Sequence, residues 1–167
     1  VGAGRRVETA RDAARAAQLR EELAARSVAV QQLVDRCVAT VTPAPRLGIP
    51  DLRALGPVPT SGAAVEAYLK RLDAVSRALT VVQAAYGDPL AERDEIAGYA
   101  GALAAQARAT GEVDPDLDHL RERLLTVVST TPTDMRRARA LRDAYQAYAM
   151  SLRTTDTSSG RKGASPR

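Results

Sequence analysis

A heptad repeat between Val65 and Tyr86 constrains the fold of this chain more than any other feature. Apolar side chains recur every seven residues, and a second set follows three places after the first. This spacing puts both sets on one helix face, in the a and d positions that pack against another helix. We expect this seam to be the main packing surface, either inside one chain or between two copies. The seam consists of Val65, Tyr68, Leu72, Val75, Leu79, Val82 and Tyr86.

The composition favours the same fold class. The chain has 167 residues, which suits a single domain, and it contains neither Phe nor Trp. Burial must therefore come from Ala, Leu and Val with a few Tyr, and such side chains suit closely spaced helices better than a thick β-sandwich. We predict an all-α fold: an elongated antiparallel helical bundle, coiled-coil-like, with a Pro/Gly-rich crossover and a disordered C-terminal tail.

Three regions follow from the pattern along the chain. Residues 1–27 form a polar helix that is expected to project or fray, because this half offers few apolar side chains. Residues 28–153 form the helical bundle, including a crossover at residues 43–62 that holds five Pro and three Gly. Apolar residues in the crossover indicate that it packs against the helices. Residues 154–167 show no apolar periodicity and are predicted to be disordered.

The two ends of the heptad helix are marked by different residues. Thr60 or Ser61 is expected to cap its beginning. The tripeptide Gly87-Asp88-Pro89 fits either a tight turn or a kink, and we favour a kink or brief break after which the chain continues in the same direction.

Two further helices are predicted beyond that point. Asp114-Pro115 and Thr131-Pro132 each pair a capping residue with a proline, and Asp134 completes a capping box at the second. Because only about four residues join these helices, they are expected to form an antiparallel hairpin.

Positive charge is concentrated near the C-terminus. Residues 134–167 carry eight Lys/Arg and three Asp, whereas the other 133 residues carry 16 basic and 17 acidic groups. The excess of Arg over Lys follows the preference of GC-rich codons, so it is weak evidence for phosphate recognition. A basic contact face for nucleic acid would be expected to carry interleaved aromatic residues on which bases stack. Because this run has none, a solvated face is favoured. The residues of this face are Arg136, Arg137, Arg139 and Arg142.

No catalytic, cofactor-binding or metal-binding residue is predicted, and we expect no enzyme activity. His119 lies on the outer side of its helix without a nucleophile, and Cys37 shares an apolar face. Glu92, Asp94 and Glu95 could ligate a cation, but negative charge in a first turn after Pro89 would equally complement the helix dipole. The single cysteine favours a reduced cytoplasmic setting, and no membrane span is predicted.

Three stretches resemble helical proteins from GC-rich Gram-positive (actinobacterial) bacteria. They are LVDRCVATVTPAP at 33–45, LGPVPTSGAAVEAYLKRLDAV at 55–75 and RALRDAYQAY at 139–148. The resemblance implies a role beside Ser/Thr protein kinase and phosphopeptide-binding signalling components. It also implies one long helix where this sequence has Gly87-Asp88-Pro89.

These observations predict a non-enzymatic interaction or scaffold protein. Its partner would be another protein or a second copy of the chain, in the setting of bacterial Ser/Thr kinase signalling. The alternative is a small basic nucleic-acid-associated helical protein that uses its C-terminal Arg-rich helix.

Overall fold

The computed structural model describes residues 1–111 and 114–159. In these residues the chain forms four α-helices, one 3₁₀ helix at Leu52–Leu55 and two strands of two residues each, so the predicted all-α class is confirmed. Two compact units are distinguished: residues 1–38 with 44–88, and residues 39–43 with the chain from 89 onward. The elements are α1 (Gly2–Thr40), β1 (Val41–Thr42), α2 (Gly62–Thr110), α3 (Pro115–Ser129), β2 (Thr133–Asp134) and α4 (Met135–Ser159).

Helix α1 contains a heptad repeat of its own. Its buried residues Ala16, Leu23, Val30 and Cys37 are spaced by seven, so one narrow stripe faces the core along most of the helix. The stripe extends into the polar first half, where Ala16 is fully buried. The helix is therefore packed from Ala16 onward, whereas the sequence predicts a projecting segment over residues 1–27. Small side chains in this half allow close helix approach without a long apolar run.

The heptad seam on α2 is buried as predicted. Six of its seven residues are buried in the first unit, and Val75 is half-buried. The helix begins at Gly62, and the Ser61 carbonyl accepts the first helical hydrogen bond from Val65 N at 2.9 Å. Ser61 therefore occupies the predicted capping position.

Helices α1 and α2 run parallel to each other in the first unit. Arg20 of α1 contacts Tyr68 of α2. Farther along both helices, a Cβ added to Gly87 would lie 3.9 Å from Leu33 Cδ2. Because residue numbers rise together on both helices, the predicted antiparallel order is wrong for this pair. A parallel pair buries the same seam, so the heptad pattern alone does not distinguish the two directions.

The crossover returns alongside the parallel pair and is held by two seam tyrosines. The Tyr86 hydroxyl accepts a hydrogen bond from Leu47 N at 3.0 Å and lies 3.1 Å from the Pro45 carbonyl oxygen. The Tyr68 hydroxyl donates to the Gly56 carbonyl at 3.0 Å. Gly56 has a φ of 69°, a value that favours glycine. The crossover therefore descends from the Tyr86 level to the Tyr68 level before α2 begins.

The predicted short helical turn in the crossover is a 3₁₀ helix at Leu52–Leu55. The Asp51 carboxylate caps it by accepting a hydrogen bond from Arg53 N at 3.0 Å. Ile49, Leu52, Leu55 and Val58 are half-buried, as expected for a segment that packs on helices. Leu47 differs, since 44% of it is exposed while its backbone bonds Tyr86.

Helix α2 continues through Gly87-Asp88-Pro89, so neither a tight turn nor a break in the helix occurs there, and the kink stays a prediction. A proline inside a helix removes one backbone hydrogen bond and costs roughly 3 kcal/mol. Buried side chains on both sides of the proline offset that cost, Tyr86 before it and Ile96 after it. The long helix implied by the resemblance is present here.

The second unit contains the predicted antiparallel hairpin of α3 and α4. Tyr148, late in α4, donates to Asp116 Oδ2 at the beginning of α3 at 3.1 Å. Asp114 caps α3 as predicted. Helix α4 is capped by Asp134, whose Oδ1 accepts from Arg137 N at 3.1 Å, so the predicted cap at Thr131 is wrong.

Two details of the second unit were not predicted. Strands β1 and β2 pair in parallel, with Val41 opposite Thr133 and Thr42 opposite Asp134. Helix α4 extends to Ser159 and so includes the first six residues of the predicted tail, which was expected to begin at Thr154. The rest of the predicted tail, residues 160–167, lies outside the described residues.

Replacing Tyr86 by Phe tests the hold on the crossover. The Tyr86→Phe variant leaves Leu47 N–H without its partner, and we expect a loss of about 1–3 kcal/mol in the free energy of unfolding, measured by urea denaturation. Exchange of the Leu47 amide hydrogen should also accelerate. Tyr99→Phe is the matched control, because the Tyr99 hydroxyl makes no hydrogen bond with the described residues. Equal losses in both variants would contradict the assignment.

Candidate functional site

The heptad seam, which was predicted as an interaction surface, is used for packing inside the first unit. Tyr68, Leu72 and Leu79 are at most 1% exposed. Their side chains are therefore not presented to a partner in this structure. A surface for partners must be sought on the faces that the seam leaves exposed.

The predicted basic face is divided by ion pairs. Arg139 Nε and Nη2 bind the two carboxylate oxygens of Glu92, the second at 3.2 Å. Arg142 Nε lies 3.0 Å from an Asp143 carboxylate oxygen. Arg136 and Arg137 are exposed and make no side-chain ion pair within the described residues. Two of the four cations are thus engaged inside the second unit.

The acidic residues after Pro89 are part of the same arrangement. Because no helix begins at Pro89, the interpretation of these carboxylates as helix-dipole partners is wrong. Glu92 binds Arg139 instead, and Asp94 lies 3.2 Å from Arg93 Nη1. The hydrogen bond from Arg139 lowers the pKa of Glu92 below its ordinary value of 4.5. Across residues 1–111 and 114–159, no cluster of His, Cys, Asp and Glu forms a metal site.

The two remaining sequence candidates lie where predicted. His119 is exposed on α3. Cys37 is fully buried, and this burial raises the pKa of its thiol, which disfavours the reactive thiolate.

Arg93 has a structural role that the sequence did not reveal. Its Nη2 donates to the Val128 carbonyl at the end of α3 at 2.8 Å, and its Nε lies 3.5 Å from Thr133 Oγ1. Thr133 is fully buried, and its hydroxyl donates to the Thr130 carbonyl at 2.9 Å. Arg93 therefore gives the Val128 carbonyl a hydrogen-bond partner at the α3–α4 connection. An apolar residue at position 93 could not do this.

A groove of about 370 Å³ runs between α1 and α2 in the first unit. Leu19 and Leu69, both half-buried, line it beside the core residues Leu23 and Leu72. All its lining residues come from the two helices, so the crossover does not cover it. Its exposed polar edge consists of Arg15, Glu22 and Asp73.

One end of this groove is fixed by Arg26. Its Nη1 donates to the Ser76 carbonyl at 3.2 Å and to Ser76 Oγ at 3.1 Å, and its Nη2 donates to Thr80 Oγ1 at 2.7 Å. One side chain of α1 therefore holds two successive turns of α2. The groove is preformed in the chain itself, which reduces the ordering cost of binding.

A second cavity of about 480 Å³ lies beside the beginning of α2. Arg5, Arg6 and Thr9 of α1 line it together with Thr60 and Gly62. Its walls are mostly exposed, and its apolar side chains are the small ones of Ala10 and Ala13, so it is a weaker candidate than the groove.

Comparison with known proteins identified no relative: no protein-family model, curated protein or solved structure matches the chain. Among the described residues, no helix has the length and apolar character needed to cross a membrane. The candidate site therefore rests on the geometry of the groove.

The Glu92–Arg139 ion pair predicts a pH dependence of stability. Because the pKa of Glu92 is lower in the folded state, its contribution is present above the ordinary value of 4.5 and is lost as pH falls through the folded value. Glu92→Gln should therefore be less stable than the wild type at pH 7 and lose this deficit near pH 3. Glu95→Gln, which alters an exposed carboxylate that makes no ion pair with the described residues, is the control. Urea unfolding midpoints between pH 3 and 7 give the comparison, and a constant deficit would contradict the ion pair.

Proposed function

We propose that this protein is a non-enzymatic helical interaction protein that binds a partner helix in the groove between α1 and α2. The observation that supports the proposal is the groove itself, which lies between two parallel helices and is lined by two half-buried leucines, Leu19 and Leu69. Amphipathic helices commonly bind in such grooves by their apolar face.

The spacing of the leucines suits this mode of binding. Leu19 and Leu23 are four residues apart on α1, and Leu69 and Leu72 are three apart on α2, so each pair spans one helical turn. A helix laid along the groove would cover the exposed parts of Leu19 and Leu69. Full burial of a leucine contributes roughly 1.5–3 kcal/mol, and half-buried leucines offer a part of that. The charged edge then gives the contact its orientation.

The cellular setting is the part of the proposal that comes from the sequence. From the resemblance we infer a scaffold role in bacterial Ser/Thr kinase signalling, and from the single cysteine a cytoplasmic setting. The exposed hydroxyls in the last turns of α4 are the groups that a kinase would modify in that setting, and a phosphate at a helix C-terminus would oppose the dipole. These residues are Thr154, Thr155, Thr157, Ser158 and Ser159.

A selection experiment tests the groove. Helical peptides selected from a displayed library against the full chain should bind the wild type at least tenfold more tightly than Leu69→Asp, measured by fluorescence anisotropy. The expected loss arises because a carboxylate in the groove would be desolvated by the bound helix. Circular dichroism verifies that the variant is folded.

Val81→Asp is the matched control. Val81 lies on the same helix, is 61% exposed and does not line the groove, so its substitution should change binding less than twofold. Failure to select any binder, or equal binding by wild type and Leu69→Asp, would contradict the proposal.

The nucleic-acid alternative makes a different prediction. Of the four arginines of the basic face, Arg136 and Arg137 make no ion pair with the described residues. A duplex contact through these two would have a salt dependence with a slope of roughly −1.8 for two phosphates. Tight binding of a labelled duplex at low salt, lost in Arg136→Ala/Arg137→Ala, would favour the alternative over the groove.

A further inference from the structure

We propose that the groove binds the groove of a second copy of this chain, in a contact related by a two-fold axis perpendicular to α1 and α2. This inference rests on the proposed function, and it identifies the partner helices as α1 and α2 of a second copy. The argument comes from the order of charges along the groove.

The charges at the groove edge are opposite on the two sides of the leucines. On α1, Arg15 precedes Leu19 by four residues and Glu22 follows it by three. On α2, Asp73 follows Leu69 by four residues. Because the two helices run parallel, Glu22 and Asp73 lie toward the same end and Arg15 lies toward the other. Arg26 also lies toward this acidic end, where its guanidinium binds Ser76 and Thr80 of α2, so Glu22 and Asp73 leave the end with a net negative charge. The groove therefore has a cationic end and a net anionic end, with leucines between them.

A two-fold axis through the leucines makes this arrangement self-complementary. Rotation by 180° places Arg15 of one copy beside Glu22 and Asp73 of the second, and the reverse contact forms at the other end. Leu19 and Leu69 of both copies then meet at the axis. A second copy docked in the same direction would instead place like charges together, which disfavours that arrangement.

The groups at the edge are accessible for this contact. Arg15 is exposed and makes no hydrogen bond or ion pair with the described residues. Glu22 accepts a hydrogen bond only from exposed Gln18 at 3.1 Å, and Asp73 pairs at 3.2 Å with Arg77, both strongly exposed. Exposed pairs of this kind are weak and can be exchanged for intermolecular partners.

The extent of the groove indicates a small, reversible contact. Arg15 to Arg26 spans 12 residues of α1, or roughly 17 Å at 1.5 Å per residue. A contact of that length is small among protein interfaces, so the dimer should be reversible. Added salt should weaken it, because the charged edge is exposed.

Sedimentation equilibrium of the full chain from about 1 to 300 µM tests the inference. The apparent mass should rise from the monomer value of 17.7 kDa toward twice that value. Arg15→Glu and Glu22→Arg should each weaken association at least tenfold, and the double variant Arg15→Glu/Glu22→Arg should recover part of it, because opposite charges again face each other. Recovery by a second charge reversal is not expected from a purely structural effect.

The matched controls reverse charges that do not line the groove. Arg11→Glu and Glu21→Arg make the same changes in net charge on exposed positions of α1 and should alter association less than twofold. A chain that stays monomeric to 300 µM overturns the inference, as does a dimer that responds equally to groove and control variants. A monomeric chain whose groove still binds selected helices would refute self-association and leave the proposed function standing.

Discussion

The parallel packing of α1 and α2 is the constraint on which the first unit depends. Two consecutive helices that point in the same direction oblige the chain between them to travel back along their length. That return segment has no regular hydrogen-bond ladder, yet it lies against the helices, so its backbone groups need partners. The seam tyrosines supply them: Tyr86 binds the backbone of Leu47, and Tyr68 binds Gly56. This accounts for aromatic residues with hydroxyl groups in a seam that is otherwise aliphatic.

Several features of the fold were predictable because they depend on local spacing. The seam from Val65 to Tyr86, the cap at Asp114 and the α3–α4 hairpin all follow from residues close together in sequence. The direction of α1 relative to α2 was not predictable from the heptads, since both directions bury the same face. The length of the crossover carried a signal that the prediction did not use. Antiparallel neighbours need only a few connecting residues.

The candidate site was harder to predict, for a related reason. Arg139 and Glu92 are 47 residues apart, and Arg26 and Thr80 are 54 apart, so no periodicity links them. Charged residues that looked like a free basic face or a helix-dipole partner are engaged in these distant contacts. The packed first half of α1 escaped prediction because Ala16 contributes burial without the bulk that marks an apolar stripe. Its spacing of seven from Leu23 was the available signal.

The groove is a consequence of the same parallel arrangement. Two helices alone cannot enclose all of their apolar side chains, and the single crossover covers only the part of the pair that it contacts. Leu19 and Leu69 are left half-buried between helices whose spacing Arg26 already fixes. On each helix the acidic edge residue follows the groove leucine in sequence. Because the helices are parallel, the acidic groups of α1 and α2 lie toward the same end of the groove. An antiparallel pair with the same edge residues would place Asp73 beside Arg15 and cancel that polarity. The direction of the helices therefore determines both the half-buried leucines and the order of charges along the groove.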